Sequence, residues 1–221
     1  MKLLVSALLK FSMGLLMVGA LLFLPAGSFA FGNGWLFIGL LFVPMLLLGV
    51  VLLVKAPGLL EKRLNAKEKE STQKGVVAFS GAVFLGGFVV AGLDFRYGWS
   101  HVPAWVVALA SVILLVSYAL YVEVMRENAY LSRTIEVQKG QTVVDSGLYS
   151  IIRHPMYAVT IWLFYAIPVV LGSWWALACF APYIVIIAVR IINEEKLLAA
   201  QLPGYADYQK RVKYRILPFI W

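Results

Sequence analysis

The feature that most constrains this chain is a series of long apolar runs, none with a charge at its centre. They lie at about Leu3–Leu24, Trp35–Val54, Val76–Leu93 and Val102–Val122, followed by a closely spaced pair at Tyr157–Leu171 and Trp174–Ile192. A helix that crosses the hydrocarbon of a bilayer needs about 20 mostly apolar residues, and it must pair its backbone groups internally. The first member of the pair, at about 15 residues, is near the lower limit for a full span. The linker "GSW", Gly172 to Trp174, leaves room only for a tight hairpin. The runs predict an all-α integral membrane protein of about six transmembrane helices, the last two forming that hairpin. Composition agrees: 62% of residues are hydrophobic and 14% charged, against about 45–50% and 25% in a soluble domain.

A net charge of +8 raises the possibility of nucleic acid, but in so apolar a chain a basic excess marks cytoplasmic loops. The distribution supports the second reading, and no nucleic-acid partner is expected. Lys2 and Lys10 lie at the start, six basic residues fall in 55–75, four in 123–156, and six between Arg190 and the tail. Only Arg96 falls on the other side, so 18 of the 19 basic residues share one face. Both termini are therefore predicted cytoplasmic. The start, with Lys2 and "SFA" at Ser28–Ala30, is similar to a secretory signal peptide. Lys10 and the length of the run favour a retained helix. Pro57–Gly75 is expected to be a charged linker on the bilayer surface. The chain divides into residues 1–125, carrying four spans, and a C-terminal region, 126–221. The single cysteine, Cys179, excludes an internal disulfide, and no Cys/His spacing suits zinc.

Ion-coupled transporters place ionisable groups at the membrane midplane. Here such groups gather at the cytoplasmic helix ends, which points to a site at that interface. Two stretches meet there. In "QKGQTVVDSGLYSIIRHPMY", Gln138 to Tyr157, an ordered loop with one short apolar turn leads into a helix. Pro155 suits the first helical turn and pushes His154 out of the α region. His154 is then a helix N-terminus, where free N–H groups and the dipole favour an anion. In "RIINEEKLL", Arg190 to Leu198, Arg190 and Glu194 are four apart and share a face, while Glu195 points about 100° away. The hairpin would bring His154 and Glu194 together. Arg190 and Glu194 could equally be a helix-end ion pair, and Arg153 is expected to be a phosphate-facing interface anchor.

"SGLYSIIRHPMYA", "RIINEEKLL" and "YADYQKRVKYRILPFIW", in that order and spacing, resemble the isoprenylcysteine carboxyl methyltransferase family, which is related to the phospholipid N-methyltransferases. The resemblance covers about Asn128–Trp221. It implies an S-adenosylmethionine-dependent enzyme with a lipophilic acceptor and a pocket at the cytoplasmic face. Gln138, Gln141, Thr142, Val143, Val144, Tyr149, His154, Pro155, Met156, Tyr157 and Glu194 would bind the cofactor, and Arg190 would face the acceptor's reacting group. In many members a glycine follows the RHPxY motif by one residue, where this chain has Ala158 and Val159. No metal is implied. The cofactor's chemistry suits these residue types: tyrosine faces attract a sulfonium cation, and a carboxylate accepts hydrogen bonds from ammonium or ribose hydroxyls.

Two other classes compete. The tail also resembles that of the NADPH-dependent membrane sterol reductases, but those carry Asn where Met156 stands and lack the acidic pair. A membrane scaffold or transporter is the third class, and it would predict no tight S-adenosylmethionine binding.

Overall fold

The apolar runs form helices in a computed structural model that describes residues 2–64, 71–131 and 136–221. The helices are α1 (Lys2–Ala26), α2 (Gly32–Lys55), α3 (Pro57–Leu64), α4 (Ser71–Tyr97), α5 (Ala104–Glu127), α6 (Pro155–Val170), α7 (Trp174–Phe180), α8 (Tyr183–Gln201) and α9 (Tyr205–Arg211), with a 3-10 turn at Gly147–Ser150. No strand occurs among the described residues. Leu16, Leu24, Val54, Trp105 and Val185 all stand exposed on the outside of the bundle. Apolar side chains facing outward in this way are what a helix in contact with lipid tails requires. The protein is an all-helical integral membrane protein.

Among the described residues, five segments are long and apolar enough to cross a bilayer: α1, α2, Ala78–Tyr97 of α4, α5, and α7 running on through α8. The α6 helix is equally apolar but has 16 residues. The tight turn after α6 is present, with Gly172 N–H donating to the Val169 carbonyl at 3.0 Å. The second member of the hairpin departs from a single straight run. Pro182 lacks an N–H and interrupts the helix, leaving α7 and α8 separated at Ala181–Pro182. The expected surface linker is also partly helical: α3 occupies Pro57–Leu64 and α4 already begins at Ser71, while residues 65–70 lie outside the described residues.

Where α4 passes α7, α6 and α8, aromatic rings fill the core. Phe84 meets Phe164 edge-on at 4.6 Å and Phe180 at 5.0 Å, and Phe164 meets Tyr183 at 4.9 Å. The α4 helix also runs one turn beyond the apolar stretch ending at Leu93, which buries Asp94. Its carboxylate accepts from the Ser100 N–H at 2.8 Å and from the hydroxyls of Ser100 and Ser173. That knot fixes the turn after α6 at the end of the bundle opposite His154.

Close packing of α1 on α4 depends on Gly92. A Cβ there would lie 2.5 Å from the Leu22 carbonyl oxygen and 3.1 Å from the Ala26 nitrogen, both backbone atoms that cannot rotate away. Small residues let membrane helices approach in this way. Gly92→Ala is expected to destabilise the protein by about 1–3 kcal/mol through overpacking. Gly86→Ala, at a position in the same helix with open space around it, should be neutral or stabilising by up to about 1 kcal/mol. Thermal unfolding of both variants in detergent checks the pair, and equal behaviour would refute the packing argument.

Candidate functional site

The helix α6 begins as its sequence requires. Pro155 occupies the first position, and His154 precedes it with φ −127° and ψ 60°, outside the helical region. The tail holds this start in place. Arg153 N–H donates to the Tyr214 carbonyl at 2.9 Å and His154 N–H to the Arg215 carbonyl at 2.8 Å, so residues 214–215 lie alongside 153–154. The Arg153 guanidinium donates to the carbonyls of Val212 and Lys213 at 2.7 and 2.9 Å.

The acidic pair on α8 splits between two tasks. Glu195 is 6% exposed and is the hub of the tail network. Its Oε1 accepts from Arg153 Nε at 2.7 Å and from His154 Nε2 at 3.1 Å, and its Oε2 from Arg215 Nε at 2.9 Å. The Arg215 guanidinium also lies 5.0 Å from the Trp221 ring centroid. His154 and Glu194 line the same cavity, with Tyr157 between them, while the direct partner of His154 is Glu195. One expectation is corrected. Arg153, 8% exposed, is an internal tie and not an interface anchor. A buried guanidinium is tolerated only with its charge and donors met, and the Glu195 carboxylate and the two tail carbonyls meet them.

Glu194 faces elsewhere. Its Oε2 accepts from the Tyr157 hydroxyl at 2.5 Å, and that hydroxyl accepts from Arg190 Nε at 3.0 Å. Tyr157 therefore sits between the two α8 side chains and spaces them on the face they share. The His154 and Tyr157 rings lie 5.7 Å apart.

The loop before α6 is built against α5 and α9. Glu127, at the end of α5, accepts from the Leu148 N–H with both oxygens, at 3.1 and 3.0 Å. Gly147 has φ +55°, and a Cβ there would fall 1.7 Å from Glu127 Oε1, so only glycine fits this turn. Tyr149 is buried between helices: Asn128 donates to its hydroxyl at 3.0 Å, and its carbonyl accepts from Tyr208 at 2.7 Å. Burial pushes the phenols of Tyr149 and Tyr208 well above their ordinary range.

These elements enclose a cavity of about 450 Å³. Gln141, Thr142, Val143, Val144, Tyr149, His154, Met156, Tyr157, Arg190 and Glu194 line it, so the structure brings together ten of the twelve residues singled out from sequence. Gln138 and Pro155 stand back from the wall. Gln138 braces the loop, its Nε2 donating to the Tyr130 carbonyl at 2.5 Å, and Pro155 is buried as the first residue of α6. Sequence reasoning missed the other walls. Phe84, Phe164, Tyr183, Ile186 and Ile187 form an apolar side, and Tyr205 and Tyr208 of α9 close another. Arg63 of α3 also lines it, with its guanidinium 5.1 Å from the Tyr121 ring centroid. The two tyrosines were visible in the quoted tail motif; the α3 and α4 residues carried no signal. Among the described residues no cluster of His, Cys, Asp and Glu could hold a metal ion.

One cavity thus joins a charged, tyrosine-rich wall to an aromatic and aliphatic one, in a membrane-embedded helical bundle. Residues 103–203, which carry most of these walls, match the phospholipid methyltransferase family. A curated protein of Bacillus subtilis (strain 168), YpbQ, which bears the description uncharacterized, is 32% identical over 96 residues, 43% of this chain. The match spans 57% of that relative's length.

Proposed function

We propose that the protein is an S-adenosylmethionine-dependent membrane methyltransferase that acts on a lipophilic acceptor, isoprenylcysteine-carboxylate-like or lipid, at the cytoplasmic face. The observation that carries this reading is the two-sided cavity. A water-soluble cofactor and a lipid-soluble acceptor need a polar and an apolar wall facing one space, and the phospholipid methyltransferase match covers most of the residues that line it. The 18-to-1 partition of basic residues supports the cytoplasmic placement.

The donor set fits the cofactor. Glu194 offers a carboxylate to an ammonium or to ribose hydroxyls. The first turn of α6 offers backbone N–H groups at Met156 and Tyr157, which have no partner within the helix and suit a carboxylate. Tyr149 and Tyr157 offer ring faces to a sulfonium. When bound, S-adenosylmethionine supplies an electrophilic methyl group on that sulfonium.

The residues of the chain then position and exclude. Arg190 orients the acceptor's reacting oxygen or other lone-pair atom, and Tyr157 keeps Arg190 and Glu194 apart so that each serves a different molecule. Phe84, Phe164, Ile186 and Ile187 hold the acceptor's apolar body and keep water out. Methyl transfer to a good nucleophile needs little acid–base assistance, so alignment of the two reactants supplies the main acceleration.

The expected result is that calorimetry in nanodiscs shows micromolar-class binding of S-adenosylmethionine and S-adenosylhomocysteine, and that labelled cofactor transfers its methyl group to lipid extract. Binding of NADPH without either S-adenosyl compound would overturn the assignment in favour of a reductase.

A further inference from the structure

Two buried side-chain polar atoms among the described residues have no hydrogen-bond partner, Asn193 Nδ2 and Tyr205 Oη. Only Tyr205 belongs to the cavity wall. It is 4% exposed, on the first turn of α9, packed with Leu198, Leu202, Val143 and Tyr208. Its neighbours show how unusual this is. Tyr208, one turn on, donates to the Tyr149 carbonyl, Tyr149 accepts from Asn128, and Tyr157 bonds to both Glu194 and Arg190. Buried hydroxyls are almost always paired, and an orphan calls for a physical reason.

The surroundings supply one. Tyr205 lies close enough to Glu195, Glu194 and Arg153 to feel their charges. Burial and the two carboxylates hold its phenol protonated, so it can both accept and donate. Arg153 and Glu195 are committed to each other and to the tail, whereas Glu194 faces the cavity. Next to Glu194, the favoured part of a ligand is one that donates N–H or O–H groups.

We propose that Tyr205 Oη is a cofactor-contacting group, accepting a hydrogen bond from the ammonium or a ribose hydroxyl of the S-adenosyl ligand beside Glu194. The inference rests on the methyltransferase reading above. It makes Tyr205 part of the binding site, although it lies just beyond the family-matched region that ends at residue 203.

The test is Tyr205→Phe, which removes one oxygen and keeps the ring. Affinity for S-adenosylhomocysteine should fall about tenfold, while the thermal midpoint of the unliganded protein stays level or rises, because no bond is lost there. Tyr208→Phe, which breaks an existing bond, should lower that midpoint. 5′-Deoxy-5′-methylthioadenosine separates the two donors: it keeps the ribose and lacks the amino-acid head. If the Tyr205→Phe penalty persists with this ligand, the donor is the ribose; if it vanishes, the donor is the ammonium. Wild-type affinity in Tyr205→Phe would overturn the inference and leave the proposed function standing. So would a fall in the unliganded midpoint matching that of Tyr208→Phe. A wild-type protein that binds no S-adenosylhomocysteine would overturn both.

Discussion

Glu194→Gln is expected to weaken S-adenosylhomocysteine binding about ten- to hundredfold while leaving the fold intact. The variant loses a charged acceptor from a partly dry wall, and a hydrogen bond to a charged group contributes roughly 1.5–3 kcal/mol. Glutamine still offers a carbonyl to the Tyr157 hydroxyl, now 2.5 Å from Glu194 Oε2, so the wall keeps its shape. Arg190→Lys is the counterpart. Lysine keeps the charge but lacks the planar fork, so turnover should fall about tenfold or more with cofactor affinity nearly unchanged. Because Tyr157 touches both residues, a small coupling between the two variants is expected. Affinity and turnover measured for each variant decide the matter; equal losses of both quantities in both variants would contradict the division of labour.

The largest loss of stability is expected from the adjacent carboxylate. Glu195→Ala leaves Arg153, 8% exposed, without its counter-charge, and breaking a buried pair from one side costs about 3–5 kcal/mol. It also releases His154 and Arg215, which share the same carboxylate. Replacing Arg153 with Met in the Glu195→Ala background should recover part of the loss, because the orphaned charge is removed, though the bonds to the Val212 and Lys213 carbonyls go with it. Unfolding followed by tryptophan fluorescence in mixed micelles measures all three proteins. A Glu195→Ala variant within about 1 kcal/mol of wild type would show that the network is solvent-screened and weak. The expected losses make neighbouring glutamates on one helix turn differ in kind: one is lost to binding, the other to folding.

That contrast marks where sequence reasoning stops. Spacing alone placed Arg190 and Glu194 on one face and Glu195 about 100° from Glu194. It could not say which face turns toward the cavity, because the rotation of α8 is set by packing on distant elements. The start of α6 was legible because Pro155 constrains both itself and His154 locally. The break at Pro182 was equally local, but it is hidden inside an apolar run that hydropathy reads as continuous. The pairing of 153–154 with 214–215 has no periodic signature, and so Arg153 read as a surface residue. The α4 helix outruns its apolar stretch by one turn, since an apolar run ends where hydropathy changes and a helix ends where its hydrogen bonds do. The aromatic wall of Phe84 and Phe164 belongs to segments about 80 residues apart, and single-sequence patterns do not connect them.

The seam between 153–154 and 212–215 also sets an order of events during synthesis. A chain emerges from its N-terminus and folds as it emerges, so α1 to α5 are in the bilayer long before Val212 exists. Until then the Arg153 guanidinium has no Val212 or Lys213 carbonyl to meet, and Glu195 has no Arg215. The helices can insert, but the wall holding His154 stays unassembled until residues 212–215 fold back. The spanning bundle therefore precedes the seam that braces His154. A cut just before Val212 would remove the partners of Arg153 and Glu195 while leaving every spanning helix in place.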